Sequence, residues 1–306
     1  MLVSFTEPDA ILDEQSLKNR SAVLLLGLLA VLAACSSQKA EEYYQLGKQH
    51  HAKQALTEAI EAYSQAIELK PGLATALTGR GNAYKDLKKY VLAIADYDQA
   101  IVLQAEHAEA FRGRGLAHAA MEKHELALAD FNEALRLEPD ADVFYSRGLT
   151  YRRMKNYEAS IADCSQAIKL KPQFPKAFNN RGNGYQALEK FELALADYDQ
   201  AISLDPQFAN AFGNRGHTYL RMKNYAQAIV DYDRVIQLDP QDALAFYNTA
   251  CAYTQLQNPQ EALARLKQAL TLNQDFRAYA ETDPDLQPLR DLPAFTALMA
   301  ELGEAK

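Results

Sequence analysis

From residue 40 to residue 276 the small, aromatic and polar positions return with a period of 34. The pattern is plainest in Pro175 to Phe208, PKAFNNRGNGYQALEKFELALADYDQAISLDPQF, which the stretch Ala209 to Asp242 restates nearly residue for residue. Gly182 becomes Gly216, Tyr185 becomes Tyr219, Ala194 becomes Ala228, Tyr198 becomes Tyr232, and Pro206 becomes Pro240. A period of this length marks a helix–turn–helix solenoid. Small residues let two antiparallel helices approach closely, large ones fill the gaps between them, and Pro ends the second helix. The pattern predicts an all-α chain with no sheet.

Numbered within the period, position 8 is small, 11 aromatic, 20 Ala, 24 aromatic, 27 Ala and 32 Pro. This spacing resembles the tetratricopeptide repeat (TPR), and the resemblance implies a right-handed superhelix, an α-solenoid. Seven repeats tile the chain without a gap: 40–73, 74–107, 108–140, 141–174, 175–208, 209–242 and 243–276. The third is one residue short, because Pro139 to Gly148 is nine steps where other repeats take ten. That deletion is expected to change the superhelical pitch locally. A solenoid end exposes an apolar face and needs a cap. Residues 277–306 read as one, with Leu286, Leu289, Leu292, Phe295 and Leu298 on an apolar side and Asp283 and Asp291 placed to cap short helices.

Ahead of the repeats the pattern changes. Residues 1–16 are acidic and unpatterned, then Lys18 and Arg20 precede an uncharged run of 13 residues from Ala22 to Ala34. The run is too short for a membrane span, which needs about 20 residues, and suits the apolar core of a signal peptide. Its end, Leu32-Ala33-Ala34-Cys35, resembles the lipobox of bacterial lipoproteins. By that resemblance residues 1–34 are cut away and Cys35 receives a diacylglycerol, leaving 35–39 as a lipidated N-terminus and short linker. The acidic preamble departs from such signals, so translation is expected to start at Leu17. By the same resemblance Ser36 permits sorting to the outer membrane of a Gram-negative envelope.

Apolar residues at 48% are ample for a continuous core. The net charge of −8 argues against sequence-independent nucleic-acid binding, which needs clustered cations. Residues 1–34 hold four acids and two bases, so the remainder is still acidic at −6. Cys164 and Cys251 lie in the fourth and seventh repeats, several helix layers apart, beyond disulfide reach.

Candidate chemistry is sparse. His50 and His118 occupy position 11 and His124 position 17, where other repeats carry Tyr or Phe, so they read as core aromatics. No His pair stands at zinc-ligand spacing with a supporting carboxylate, and no phosphate-binding Gly loop or nucleophile elbow occurs. We expect no enzyme, no metal, no cofactor and no small-molecule substrate. Arg recurs at position 7 (Arg80, Arg114, Arg147, Arg181, Arg215) wherever Asp recurs at position 23 (Asp96, Asp130, Asp163, Asp197, Asp231). In a hairpin turning near position 15 these stand at one height, which predicts an ion pair inside each repeat.

The remaining surface is the concave one. The resemblance to TPR arrays implies binding of extended peptides by the first helix of each repeat through positions 2, 5, 6, 9, 12 and 13. Here these are Lys176, Asn179, Asn180, Asn183, Asn210, Asn214, His217 and Arg221 in repeats five and six, with Arg152 adjoining. Amides carry donor and acceptor and can pair with any extended backbone; the alternative is that they only keep the face soluble. The family's carboxylate clamp, Lys at 5 with Asn at 9, is absent, since Asn82 follows Thr78 and Asn183 follows Asn179. The expectation is a lipid-anchored, protein-binding scaffold of the bacterial cell envelope; the rival is a soluble cytoplasmic TPR scaffold with a misread N-terminus.

Overall fold

The computed structural model describes the backbone of residues 14–303, with side chains for Leu26 and for residues 34–301. The acidic preamble up to residue 13, and most side chains of the leader-like run, lie outside the described residues. Those described are helical or in turns, with no strand. The chain divides into two compact units, Met1–Leu137 and Glu138–Lys306. The division falls in the turn that the short third repeat closes.

In the first unit three helical hairpins follow one another: α1 (Glu14–Ala52) with α2 (Leu56–Leu69), α3 (Ala74–Asp86) with α4 (Tyr90–Leu103), and α5 (Ala108–Ala120) with α6 (His124–Leu137). The second unit holds four: α7 (Ala141–Arg153) with α8 (Tyr157–Leu170), α9 (Pro175–Ala187) with α10 (Phe191–Leu204), α11 (Ala209–Arg221) with α12 (Tyr225–Leu238), and α13 (Ala243–Gln255) with α14 (Pro259–Leu272). Three short helices close it: α15 (Phe276–Ala280), α16 (Gln287–Arg290) and α17 (Pro293–Gly303), with a 3₁₀ turn at Pro284–Leu286. Among the described residues no helix is long and apolar enough to cross a membrane. Cys35 lies within α1 and is exposed, while Cys164 and Cys251 are buried and unpaired. One residue beyond Cys35, Ser36 Oγ donates to the Leu69 carbonyl at 3.1 Å, so the first hairpin is already closed there.

Every hairpin turns in one way. Position 15 (Gln54, Lys88, Glu122, Lys155, Glu189, Lys223, Gln257) takes a left-handed φ of 57–60°. The next amide reaches back five residues, as Asn224 N–H does to the Tyr219 carbonyl at 2.8 Å. This is a Schellman closure, which satisfies carbonyls the first helix leaves free. Glycine would suit that φ best, yet polar long-chain residues hold it throughout.

The core is built on position 24. Tyr97 is fully buried, and a Cβ on Gly81 of its own repeat or on Gly113 of the next would stand 2.8 and 2.5 Å from its ring. The glycines are therefore the room the ring occupies. At the C-terminal end Leu266 and Leu270 pack with Leu286, Leu289, Phe295 and Leu298, so the last hairpin buries its outer side. Tyr247 Oη donates to Asp283 at 2.8 Å, and Asp283 also caps the 3₁₀ turn by accepting from Asp285 N.

Each predicted Arg–Asp pair is made. Arg80–Asp96, Arg147–Asp163 and Arg181–Asp197 close at 2.7 Å, and Arg114–Asp130 and Arg215–Asp231 at 2.6 Å. Nε and Nη2 of Arg181 grip the two carboxylate oxygens of Asp197, the bidentate fork that carboxylates favour. The structure adds two partners that pairwise reading did not foresee. Nη1 reaches position 25 of the preceding repeat, as Arg181 does to Ser165 at 3.1 Å and Arg114 to Asp98 at 2.6 Å. The guanidinium also lies over the position 4 ring, Arg181 over Phe178 at 5.5 Å. One side chain thus ties both helices of its repeat to the helix before.

Two expected outcomes follow. Arg181→Ala leaves the Asp197 side chain, 7% exposed, without its partner, and is expected to cost roughly 3 kcal/mol. Adding Asp197→Ala should recover part of that loss in urea unfolding, whereas additive losses would show the two do not interact. His118 provides the second. Its Nδ1 is buried without a partner, and desolvation foremost holds its pKa below the usual imidazole value, with Asp130 opposing. The unfolded chain then binds more protons, so stability is full above the unfolded pKa of about 6.5 and falls as pH drops below it. His118→Tyr, the residue other repeats carry, should flatten that slope in denaturation curves taken across this range.

Candidate functional site

The first helices of repeats five and six, α9 and α11, carry the amide-rich face. Lys176 and Asn210 open the two helices at position 2 and are exposed, as are His217 and Arg221 further along α11. Asn179, Asn183 and Asn214 are half-buried between them. Position 12 of one repeat bonds toward position 6 of the next. Arg152 Nε donates to Asn180 Oδ1 at 2.7 Å, and Gln186 Nε2 approaches the Asn214 carbonyl at 3.4 Å.

These amides serve the scaffold as well as the surface. Asn214 Nδ2 donates to Asn179 Oδ1 at 2.9 Å, and Asn183 Oδ1 accepts from Tyr198 Oη at 2.8 Å. Each carboxamide has two N–H donors and a carbonyl, so each keeps a group to offer. Asn180 differs: it is 2% exposed, and its Nδ2 meets Cys164 Sγ at 3.0 Å. It fills the space that Cys164 leaves at position 24, where neighbouring repeats place a ring. The sequence grouped Asn180 with the surface amides; the structure puts it in the core.

The cations are partly committed. Arg221 pairs with Glu189 at 2.6 Å and lies over Phe191, and Arg152 is held by Asn180. His217 Nδ1 accepts from Gln186 Nε2 at 3.0 Å, which leaves the proton on Nε2. Loss of hydration and the neighbouring Arg221 lower its pKa, so the ring stays neutral at pH 7. The face is polar, weakly cationic and supplied with donors. Among the described residues no cluster of three His, Cys, Asp or Glu side chains could hold a metal.

Models of the tetratricopeptide repeat match residues 141–174, 175–208 and 209–242, and further models match 108–141 and 243–276. A TPR repeat model matches 47–88 and 81–122, so matched segments run from residue 47 to residue 276. No curated protein matches the sequence. Among solved structures, YrrB, described as a TPR protein with an unusual peptide-binding site, is 26% identical with a TM-score of 0.53. The match covers 61% of this chain and 96% of that one. A tetratricopeptide repeat protein from Parabacteroides merdae is 19% identical over 83% of this chain and 100% of its own, with a TM-score of 0.59. The C-terminal part of a TPR repeat-containing protein from Cytophaga hutchinsonii is 18% identical over 78% and 98%, at 0.61. The last two likenesses concern the fold alone.

Because Asn183 satisfies a buried phenol, Asn183→Ala is expected to destabilise the array by about 1–3 kcal/mol, the cost of an unmet buried hydroxyl. Pairing it with Tyr198→Phe should remove most of that loss, which thermal melting of the two variants would read directly.

Proposed function

The chain belongs to the tetratricopeptide repeat family, and on that premise we propose a protein-binding scaffold that is anchored to a bacterial envelope membrane through a lipid on Cys35. The observation that carries the binding half is the grouping of Lys176, Asn210, His217 and Arg221 as exposed polar side chains on consecutive first helices. Hydrogen-bonding groups spread along adjacent helices meet the repeating N–H and C=O of an extended segment whatever its sequence. YrrB, a similar array, has a peptide-binding site. No catalytic role is assigned to any residue.

The anchoring half rests on the basic, apolar and lipobox order of residues 18–35, and on the exposure of the Cys35 thiol. Closure of the first hairpin at Ser36 gives the anchor a consequence. A lipid on Cys35 would hold the first repeat at the membrane surface with no flexible tether. The envelope location is part of the same reading.

One experiment tests both halves in cells expressing the full chain. A clickable fatty-acid analogue should label the wild type and not Cys35→Ala, and the substitution should release the protein from the membrane fraction. A photocrosslinking residue at Asn210 should give an adduct that Lys176→Glu with Arg221→Glu reduces, while one at Glu192 on α10 should give none. Labelling that persists in Cys35→Ala would overturn the anchor; adducts from Glu192 alone would move binding off the first helices.

A further inference from the structure

The repeats act as controls for one another, and one junction lacks both the side chain and the closing contact that several others make. In repeats two, four and seven the position 5 side chain closes on position 34. Thr78 bonds His107 at 2.9 Å, Tyr145 packs on Phe174 at 5.1 Å between ring centroids, and Tyr247 stacks on Phe276 at 5.0 Å. In repeat six position 5 is Gly213 and position 34 is Asp242, and both line a cavity of about 240 Å³ between α11 and α13.

Packing does not explain this glycine. A Cβ at Gly81, Gly113 or Gly182 would collide with a tyrosine ring below 3 Å, whereas at Gly213 its nearest neighbour is a Val235 methyl at 3.9 Å. A mid-helix glycine that the core does not need weakens α11 without return from the fold. The cavity is also far larger than the roughly 10–15 Å³ that one water requires.

A second, independent observation points to an occupant. Tyr232 lines the cavity, is 2% exposed, and its hydroxyl has no hydrogen-bond partner among the described residues. Two of the equivalent phenols are satisfied from position 9: Tyr97 by Asn82 and Tyr198 by Asn183, both at 2.8 Å. In repeat six position 9 is His217, turned to Gln186 instead. Asn248 stands near enough to act on the phenol without closing a hydrogen bond.

We propose that this cavity is a specificity pocket that receives one carboxamide side chain, Gln or Asn, of the extended segment bound along α11 and α13. The proposal rests on the groove reading above and adds the side chain it selects. The unmet Tyr232 hydroxyl donates to the carboxamide oxygen, and carbonyls of Asn214 and Asn248 accept from its NH₂. A carboxylate fits poorly, since no cation lines the cavity and Asp242 stands at its wall, its Oδ1 accepting from Ala245 N. A cationic head offers no acceptor for the hydroxyl. An aliphatic side chain fills the volume but strands the same group, which is how a polar pocket rejects apolar analogues.

The test uses the full chain and a positional library of short, acetylated and amidated peptides in which each position is fixed in turn. One fixed position should favour Gln or Asn over Met, Leu or Glu by about tenfold, the scale of one buried hydrogen bond. Gly213→Tyr, the residue of repeats four and seven, should erase that preference while retaining general binding. Gly213→Ala, for which there is room, serves as the folded control and should melt higher while weakening the preference. Tyr232→Phe should abolish the discrimination of Gln from Met. A preference unchanged in Gly213→Tyr, or flat at every position in a wild type whose binding still falls with Lys176→Glu and Arg221→Glu, overturns the pocket and leaves the groove. A wild type that retains no peptide overturns both.

Discussion

One buried ring in each of five repeats (Tyr63, Tyr97, Phe131, Tyr198 and Tyr232) fixes the spacing of the helices around it. Tyr97 can lie between α3, α4 and α5 only because Gly81 and Gly113 withhold their side chains, and a methyl group at either would stand under 3 Å from the ring. The ring therefore sets how closely the helices approach, and the glycines set where it can sit. Dense packing of this kind transmits any change of volume to its neighbours. The Arg–Asp fork then fixes rotation, since Arg114 reaches Asp130 in its own repeat and Asp98 in the one before. Hydrophobic volume sets distance, and a directional ion pair sets register.

That division explains what the sequence made legible. The 34-residue period, the position 7 to 23 pairs and the turn near position 15 follow from local chemistry repeated in each unit, so comparing repeats reveals them. The left-handed residue of each turn was not legible as such. Gln54, Lys155 and Lys223 give no sign of a positive φ, because hairpin packing imposes it against their propensity. The second contacts of the arginines were also hidden. They depend on which helix lies beside which, and the partner at position 25 varies between Ser64, Asp98, Ser165 and Asp199. Asp98 and Asp199 answer with charge, the serines with a hydroxyl.

The candidate site was legible by position and not by availability. Periodicity placed Asn179, Asn183 and Asn214 on one face, and they do share it. What period counting misses is that an amide on a first helix is close enough to the second helix and to the next repeat to be used twice. Asn183 Oδ1 accepts a hydrogen bond from Tyr198 Oη, and the amide still has two N–H groups to donate. Such residues couple ligand binding to stability, so loss of binding on their substitution is informative only beside a melting curve.

Departures from the repeat pattern divide into compensated and uncompensated ones, and the division separates scaffold from site. Cys164 replaces a ring at position 24, and the lost volume returns as Asn180, buried in the next repeat where Tyr63 and Tyr97 face glycine. The pair restores packing and needs no ligand to explain it. Gly213 and His217 remove a side chain and a hydrogen-bond acceptor from one junction; no side chain fills the first gap, and Asn248 on α13 approaches the phenol without meeting it in hydrogen-bond geometry. Drift under a packing constraint is expected to leave pairs of the first kind, because an unfilled core site destabilises. A doubly uncompensated junction, with a buried phenol facing it, is instead what a repeat array yields where another molecule supplies the missing atoms. By that criterion the repeat six to seven junction is set apart from the surface amides around it, most of which the scaffold already employs.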